Sequence, residues 1–120
     1  MYGFIYTRVD KQDQFDTRMD KDSVIKISKH YLNKLKKNKI RFSEAYLFGS
    51  AIQGTMHADS DIDIAIVLSD DSNSFETEVL FMILRNSKET IIEPHPFNHS
   101  EFTSDNPLVD QIMKTGLRLA

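Results

Sequence analysis

Between Asp61 and Leu68 the chain reads Asp-Ile-Asp-Ile-Ala-Ile-Val-Leu. Successive residues of a strand point to opposite faces. The alternation therefore predicts a strand over 61–68 with Asp61, Asp63, Ala65 and Val67 on one side and Ile62, Ile64, Ile66 and Leu68 on the other. Upstream, Val24, Ile27, Tyr31, Leu32 and Leu35 recur at helical spacing, which predicts a helix over 22–38 opened by Asp22 or Ser23. Ser43 to Phe48 has strand character, and the Gly49-Ser50 step ends it, with Ser50 capping a short helix through Gln53. Gly54 to Ser60 is read as a loop and Ser69 to Ser74 as a polar turn. A helix is expected over 75–85 with Val79, Met82 and Ile83 inward.

Glu89 to Phe97 reads as a third strand despite Pro94 and Pro96. Prolines two apart lack their N–H on the same side, so the other side still pairs, and the strand belongs at a sheet border. Pro107 suits the first turn of a last helix over 107–115, with Gly116 as its terminator. At the amino end Tyr2, Phe4 and Tyr6 alternate as in a short strand, and Asp10 to Asp20 is polar without period. Residues 1–21 are read as an extension and 22–120 as one folded domain. Met19 leaves a second choice, in which residues 1–18 lie upstream of the translation start.

Strands alternating with helices give an α/β (α+β) class. At 120 residues and 40% hydrophobic content the chain fits one domain with a modest core. An enzyme of this size houses a nucleotide and its metal, while the other reactant arrives on another molecule. There are no cysteines, which excludes disulfides, thiolate zinc sites and cysteine nucleophiles. No apolar run approaches the roughly 20 residues that span a bilayer, and the amino terminus lacks the layout of a secretion signal. A soluble, cytoplasmic protein without membrane contact is expected. The net charge of −3 argues against broad adhesion to nucleic acid. Lysines crowd the stretch from Lys26 to Lys39, where they read as a solvated helix face.

Gly49 would let backbone approach phosphate closely, Ser50 would add a hydroxyl, and paired carboxylates on one strand face would hold one or two Mg²⁺ ions. Neither part is specific alone. Aspartate makes up about a tenth of the chain, so an Asp-x-Asp triplet arises about once by chance; Asp20-Lys-Asp22 is one such accident. The conjunction is specific: a Gly-Ser turn closing a β segment, a loop containing Gly54, and then the triplet inside an apolar strand.

The run Gly49-Ser50-Ala-Ile-Gln-Gly54-Thr-Met-His-Ala-Asp-Ser60-Asp61-Ile-Asp63-Ile resembles the signature of the nucleotidyltransferase superfamily that includes DNA polymerase beta. Within it, the run is similar to the minimal nucleotidyltransferases, or MNT proteins. The resemblance covers residues 22–119. It implies a small mixed sheet of three or more strands packed with about three helices. It also implies that Gly49 and Ser50, with Ser60 bracing the loop, bind the nucleotide, and that Asp61 and Asp63 bind metal. The third carboxylate of that site falls on Glu93, which shares a strand face with Ile91 and His95; the plainer alternative is an edge glutamate facing water.

Where many relatives carry a cation after the Gly-Ser pair, this chain has Ala51, Ile52 and Gln53. Asp59 is read as stabilising a turn and His57 as a loop residue within reach of substrate. His95 and His99 lack the partners of a zinc site, and Tyr46 and Phe48 are read as sheet core. The resulting expectation is a Mg²⁺-dependent transfer of a nucleoside monophosphate, AMP from ATP, to a hydroxyl, with release of pyrophosphate. Small MNT proteins resemble the antitoxin half of a pair whose other half is a helical HEPN ribonuclease, so a HEPN-type protein is the expected partner. Two alternatives stand beside it: a partner-binding antitoxin without chemistry, and a small-molecule transferase whose acceptor pocket is completed by a homodimer.

Overall fold

The helix expected over 22–38 is opened by Asp20 rather than by Asp22 or Ser23. Its Oδ1 accepts the Ser23 N–H at 2.8 Å, and that hydrogen bond lowers the pKa of this exposed carboxyl. In the computed structural model, which describes residues 20–53 and 60–120, α1 spans Lys21–Lys37. The short strand expected at Tyr2 to Tyr6, the start choice at Met19, and Gly54, His57 and Asp59 lie outside the described residues. Val24, Tyr31, Leu32 and Leu35 turn inward and the lysines other than Lys34 line the outer side, as the helical spacing predicts. Beyond the cap Asn38, Lys39 takes a left-handed φ of 66° and the Ile40 N–H reaches back to the Leu35 carbonyl at 3.0 Å.

Four strands follow: β1 (Phe42–Phe48), β2 (Ile62–Leu68), β3 (Ile92–Phe97) and β4 (Leu117–Arg118), in the order β3-β2-β1-β4. β1 is antiparallel to β2 and β4, and β2 is parallel to β3, so the sheet is mixed. Between them lie α2 (Ser50–Gln53), α3 (Phe75–Ile83), a 3₁₀ turn at His99–Glu101 and α4 (Pro107–Thr115). Ile62, Ile64, Ile66 and Leu68 are fully buried in one cluster with Ala45 and Leu47 of β1, Phe81 of α3 and the inner side of α1. No helix among the described residues is long and apolar enough to cross a membrane.

β3 takes the predicted border position. The Ile92 carbonyl is met by Arg85 Nη1 at 2.9 Å instead of by a strand. Residues two apart share an orientation, so Pro94 and Pro96 place their missing N–H groups on that outer side. The strand begins at Ile92, not Glu89, because Glu89 is drawn into a turn and buried. Its Oε1 accepts from Lys34 Nζ at 2.7 Å and from the Asn86 N–H at 3.0 Å.

α3 departs most from expectation. Val79, Met82 and Ile83 are exposed, and Phe81 is the inward residue, 1% accessible. The helix is apolar on two sides, so periodicity fits either face, and tertiary contact chooses. The Tyr31 hydroxyl donates to the Phe81 carbonyl, supplying a partner to a carbonyl in the last turn. α4 matches its signals: the Asn106 side chain accepts the Leu108 N–H at 2.9 Å, Pro107 opens the helix and Gly116 ends it.

Candidate active site

Opposite the helix-covered face, β2 presents Asp63, Ala65 and Val67. Their register partners are Phe48, Tyr46 and Glu44 on β1 and Glu93, His95 and Phe97 on β3. Tyr46 and Phe48 thus lie half-buried on this face and not in the helix-covered core. Phe102 stacks on Tyr46 at 5.7 Å and meets Phe97 edge-on at 5.3 Å, bridging the central strand where Ala65 and Val67 are buried. Burial, together with donation of its hydroxyl to Glu44, pushes the Tyr46 phenol up. The aromatic cover closes one end of the face. The other end, at Asp63, stays open to solvent.

At that open end β1 turns at Gly49, whose φ of +76° favours glycine. A methyl group added there would stand 2.6 Å from Asp63 Oδ2. The absence of a side chain therefore brings the turn directly onto the carboxylate. The turn continues into α2, whose Ile52 and Gln53 N–H groups bond back to the Gly49 carbonyl at 3.0 and 3.1 Å. Beside it lies a hollow of about 190 Å³ lined chiefly by Phe48, Gly49, Ile52, Leu108 and Ile112, with the amides of Gln53 and Gln111.

The other oxygen of Asp63, Oδ1, lies 3.0 Å from His95 Nε2. Phe48 packs against the His95 ring at 5.0 Å between centroids. Asp63 keeps 28% and His95 33% of its side chain accessible, so the pair is held yet reachable. Sequence reasoning weighed His95 only as a zinc ligand. The useful signal was present in strand parity, since His95 shares its face with Glu93, but the Asp63 contact depends on the parallel pairing of β2 and β3. Glu93 stands directly beside Asp63 in register and is exposed. Asp61, also exposed, precedes β2 by one residue, and Ser50 and Ser60 are half-buried at the two ends of the intervening loop.

Among the described residues no three acidic or histidine side chains are gathered tightly enough to hold a metal alone. Mg²⁺ takes one or two protein carboxylates and completes its shell with water and substrate phosphate. A hard-oxygen donor set beside a backbone turn that a Cβ would fill fits that mode. A hollow of about 540 Å³ lies elsewhere, beside Ser23, Lys26, His30 and Glu89, and contains none of these carboxylates.

The family pattern described as polymerase beta, nucleotidyltransferase, matches residues 12–120. The chain belongs to the polymerase beta nucleotidyltransferase family. Two solved structures are similar to this nucleotidyltransferase. One is a mutant of the toxin–antitoxin MntA-HpeT, 24% identical with a TM-score of 0.57. The other is described as a toxin–antitoxin with AMP-PNP, 25% identical with a TM-score of 0.55. Each match covers 85% of this chain and 73% of the other. None of the curated proteins matches. The nucleotidyltransferase resemblance read from the Gly49 to Asp63 run is thereby borne out, as is the small mixed-sheet fold.

Proposed function

We propose that this nucleotidyltransferase moves AMP from ATP to a hydroxyl on a protein partner, as the antitoxin half of a toxin–antitoxin pair, with residues 22–120 as the working unit. The reading rests on one observation: the side-chain-free turn at Gly49 abuts the Asp63 carboxylate. A phosphate gripped by the turn would lie next to the strand's acidic end. The neighbour described with AMP-PNP supports an adenine nucleotide, and both neighbours being toxin–antitoxin complexes supports a protein partner. A HEPN-type protein is the partner the sequence resemblance favours, and the cytoplasm, where ATP is available, is the proposed location.

In this reading Gly49 and Ser50 hold the triphosphate tail, and Asp61, Asp63 and Glu93 supply carboxylate oxygens to Mg²⁺. When bound, Mg²⁺ neutralises charge on the phosphates and on the departing oxygen. His95 fixes Oδ1 of Asp63, so the carboxylate presents Oδ2 toward the turn. Glu93 takes the proton from the acceptor hydroxyl. The acceptor oxygen bonds to the α-phosphorus as the bond from that phosphorus to the bridging oxygen breaks, and pyrophosphate leaves. Most of the rate enhancement comes from positioning and charge neutralisation.

The test is transfer of label from α-labelled ATP, with Mg²⁺ and the co-expressed partner, by the wild type and by Asp61→Asn. Label on the partner with the wild type alone supports the assignment, and equal transfer by both removes it. The neutral Ala51-Ile52-Gln53 segment favours a second reading, in which the fold binds its partner without chemistry. Full neutralisation of the toxic partner by Asp63→Ala would support that reading.

A further inference from the structure

Seven large apolar side chains are well exposed among the described residues, and five of them lie on α3: Phe75, Val79, Leu80, Met82 and Ile83. Phe75 is 79% accessible and Ile83 65%. Phe75, Val79, Met82 and Ile83 stand at i, i+4, i+7 and i+8, which aligns them in one stripe along the helix. Phe81 points the other way, into the core. Val79 and Met82 keep 39% and 43% of their surface accessible, so the chain itself covers the stripe only in part, and exposing the rest costs solubility. A concentrated apolar patch of this kind marks an interaction surface.

The charges around the stripe say what covers it. At 100° per residue Glu76 falls on one flank and Glu78 on the other, both exposed, and Asn73 Nδ2 holds Glu78 Oε2 at 3.0 Å. Just ahead of the helix, Asp70 is already paired with Arg41 at 3.6 Å and Asp71 accepts from Ser100, so Glu76 and Glu78 are the acids that flank the stripe itself. The nearest cation in sequence, Arg85, donates to the carbonyls of Met82, Thr90 and Ile92. An apolar seam flanked by acids is the half of a helix pair that asks for Lys or Arg beside the partner's seam.

Among the described residues no helix of a second copy meets that requirement, since the only large apolar residues that α4 exposes are Leu108 and Met113, about 140° apart around its axis. The second copy's α1 carries lysines but no well-exposed large apolar residue. Packing α3 on itself would set carboxylates against carboxylates if parallel, or against the mate's carbonyl end if antiparallel. The same carboxylates disfavour an anionic membrane.

We infer that the outer face of α3 docks a helix of the partner protein, one with an apolar stripe flanked by lysines or arginines. This rests on the partner-binding part of the proposed function and names its surface, which lies apart from the carboxylates of β2.

The probe is a labelled Leu/Lys amphipathic peptide of about 18 residues, long enough to hold a helix, beside a Leu/Glu peptide of the same pattern. Anisotropy titration measures both against the wild type, against Met82→Gln/Ile83→Gln, and against Glu76→Gln/Glu78→Gln. The substituted residues are exposed, and glutamine is a good helix former. The Leu/Lys peptide is expected to bind the wild type at least about tenfold more tightly than the Leu/Glu peptide, and to lose about tenfold on either double variant. Equal affinity of the two peptides, no binding of the Leu/Lys peptide, or undiminished binding by the Met82/Ile83 variant overturns the inference. A wild-type dimer in sedimentation that the Met82/Ile83 variant dissolves also overturns it, by making a second copy the occupant. Peptide binding needs no nucleotide. A wild type that transfers no label but passes these titrations would therefore sink the proposed chemistry and leave the docking face standing.

Discussion

Asp63 and Ile64 are adjacent in sequence and sit on opposite faces of the same strand. Ile64 is sealed between the sheet and the α1 side of the molecule, where its only contribution is to hold the fold. Asp63 meets a backbone turn on one oxygen and a histidine on the other, with solvent within reach. The pleat separates stability from chemistry by a single residue. A face that needs no acid for its packing is free to present acids to a ligand, and the opposite face accepts none that is not neutralised.

The sharpest test of that separation pairs the two neighbours. Asp63→Asn is expected to lower nucleotidyl transfer by about a thousandfold, the several kcal/mol that a metal-held phosphate contributes, with the thermal midpoint close to wild type. Ile64→Ala is expected to cost about 2–5 kcal/mol of stability through the cavity it opens. Denaturant midpoints and labelled-ATP transfer, measured on both variants, check the pair. A loss of stability in Asp63→Asn equal to that in Ile64→Ala would erase the distinction between the faces.

Glu89 is the apparent exception, an acid on the helix-covered side. It is fully buried, and Lys34 neutralises it at 2.7 Å. His30 stands 3.8 Å from Oε2, beyond hydrogen-bond range. Lys34→Met leaves the charge buried without its partner and is expected to cost about 3–5 kcal/mol. Replacing both residues, Lys34→Met with Glu89→Leu, is expected to recover most of that loss. If the single variant unfolds at the wild-type urea concentration, the pair is not what holds the turn before β3.

Legibility followed the same division. The alternation over Ile62 to Leu68 is readable because one face is uniformly apolar, and a one-residue slip would carry Asp63 into the helix-covered core. The border position of β3 was readable because Pro94 and Pro96 dictate which side can pair. The outer stripe of α3 reads as core in the sequence, since a helix apolar on two sides does not say which side faces the sheet. The cap at Asp20 was passed over for nearer candidates. β4 pairs through only two residues, too few to leave a pattern. The Gly49 contact with Asp63 and the His95 contact with Asp63 are products of register between strands distant in sequence, so motif spacing could suggest proximity but not the atoms that meet.

Gly49 bridges the comparison, because its conformation serves the fold and its bareness serves the site. Gly49→Ala is expected to lose about 1–2 kcal/mol from the left-handed backbone alone. The added methyl, 2.6 Å from Asp63 Oδ2, must also displace the carboxylate. Activity should therefore fall further than stability explains, read as a higher Mg²⁺ requirement at matched folded fraction. Loss of activity in strict proportion to loss of folded protein would reduce Gly49 to a turn residue.

The smallest expected effect probes the helix-covered side at its edge. Burial raises the pKa of Tyr31, with Arg85 opposing and Glu89 adding to the shift, and the protonated hydroxyl donates to the Phe81 carbonyl. A group whose folded pKa is raised contributes stability that is complete below its unfolded value, near 10 for tyrosine. That stability is lost as pH climbs from there through the folded value. Tyr31→Phe is expected to cost about 1 kcal/mol at neutral pH, the net worth of one hydrogen bond. It should also remove part of the alkaline decline in stability, since no phenol remains to ionise at that position. Urea midpoints measured at neutral pH and above pH ~10 distinguish the two contributions. An unchanged alkaline slope in Tyr31→Phe would mean that other groups set it, and that the tie between α1 and α3 is packing alone.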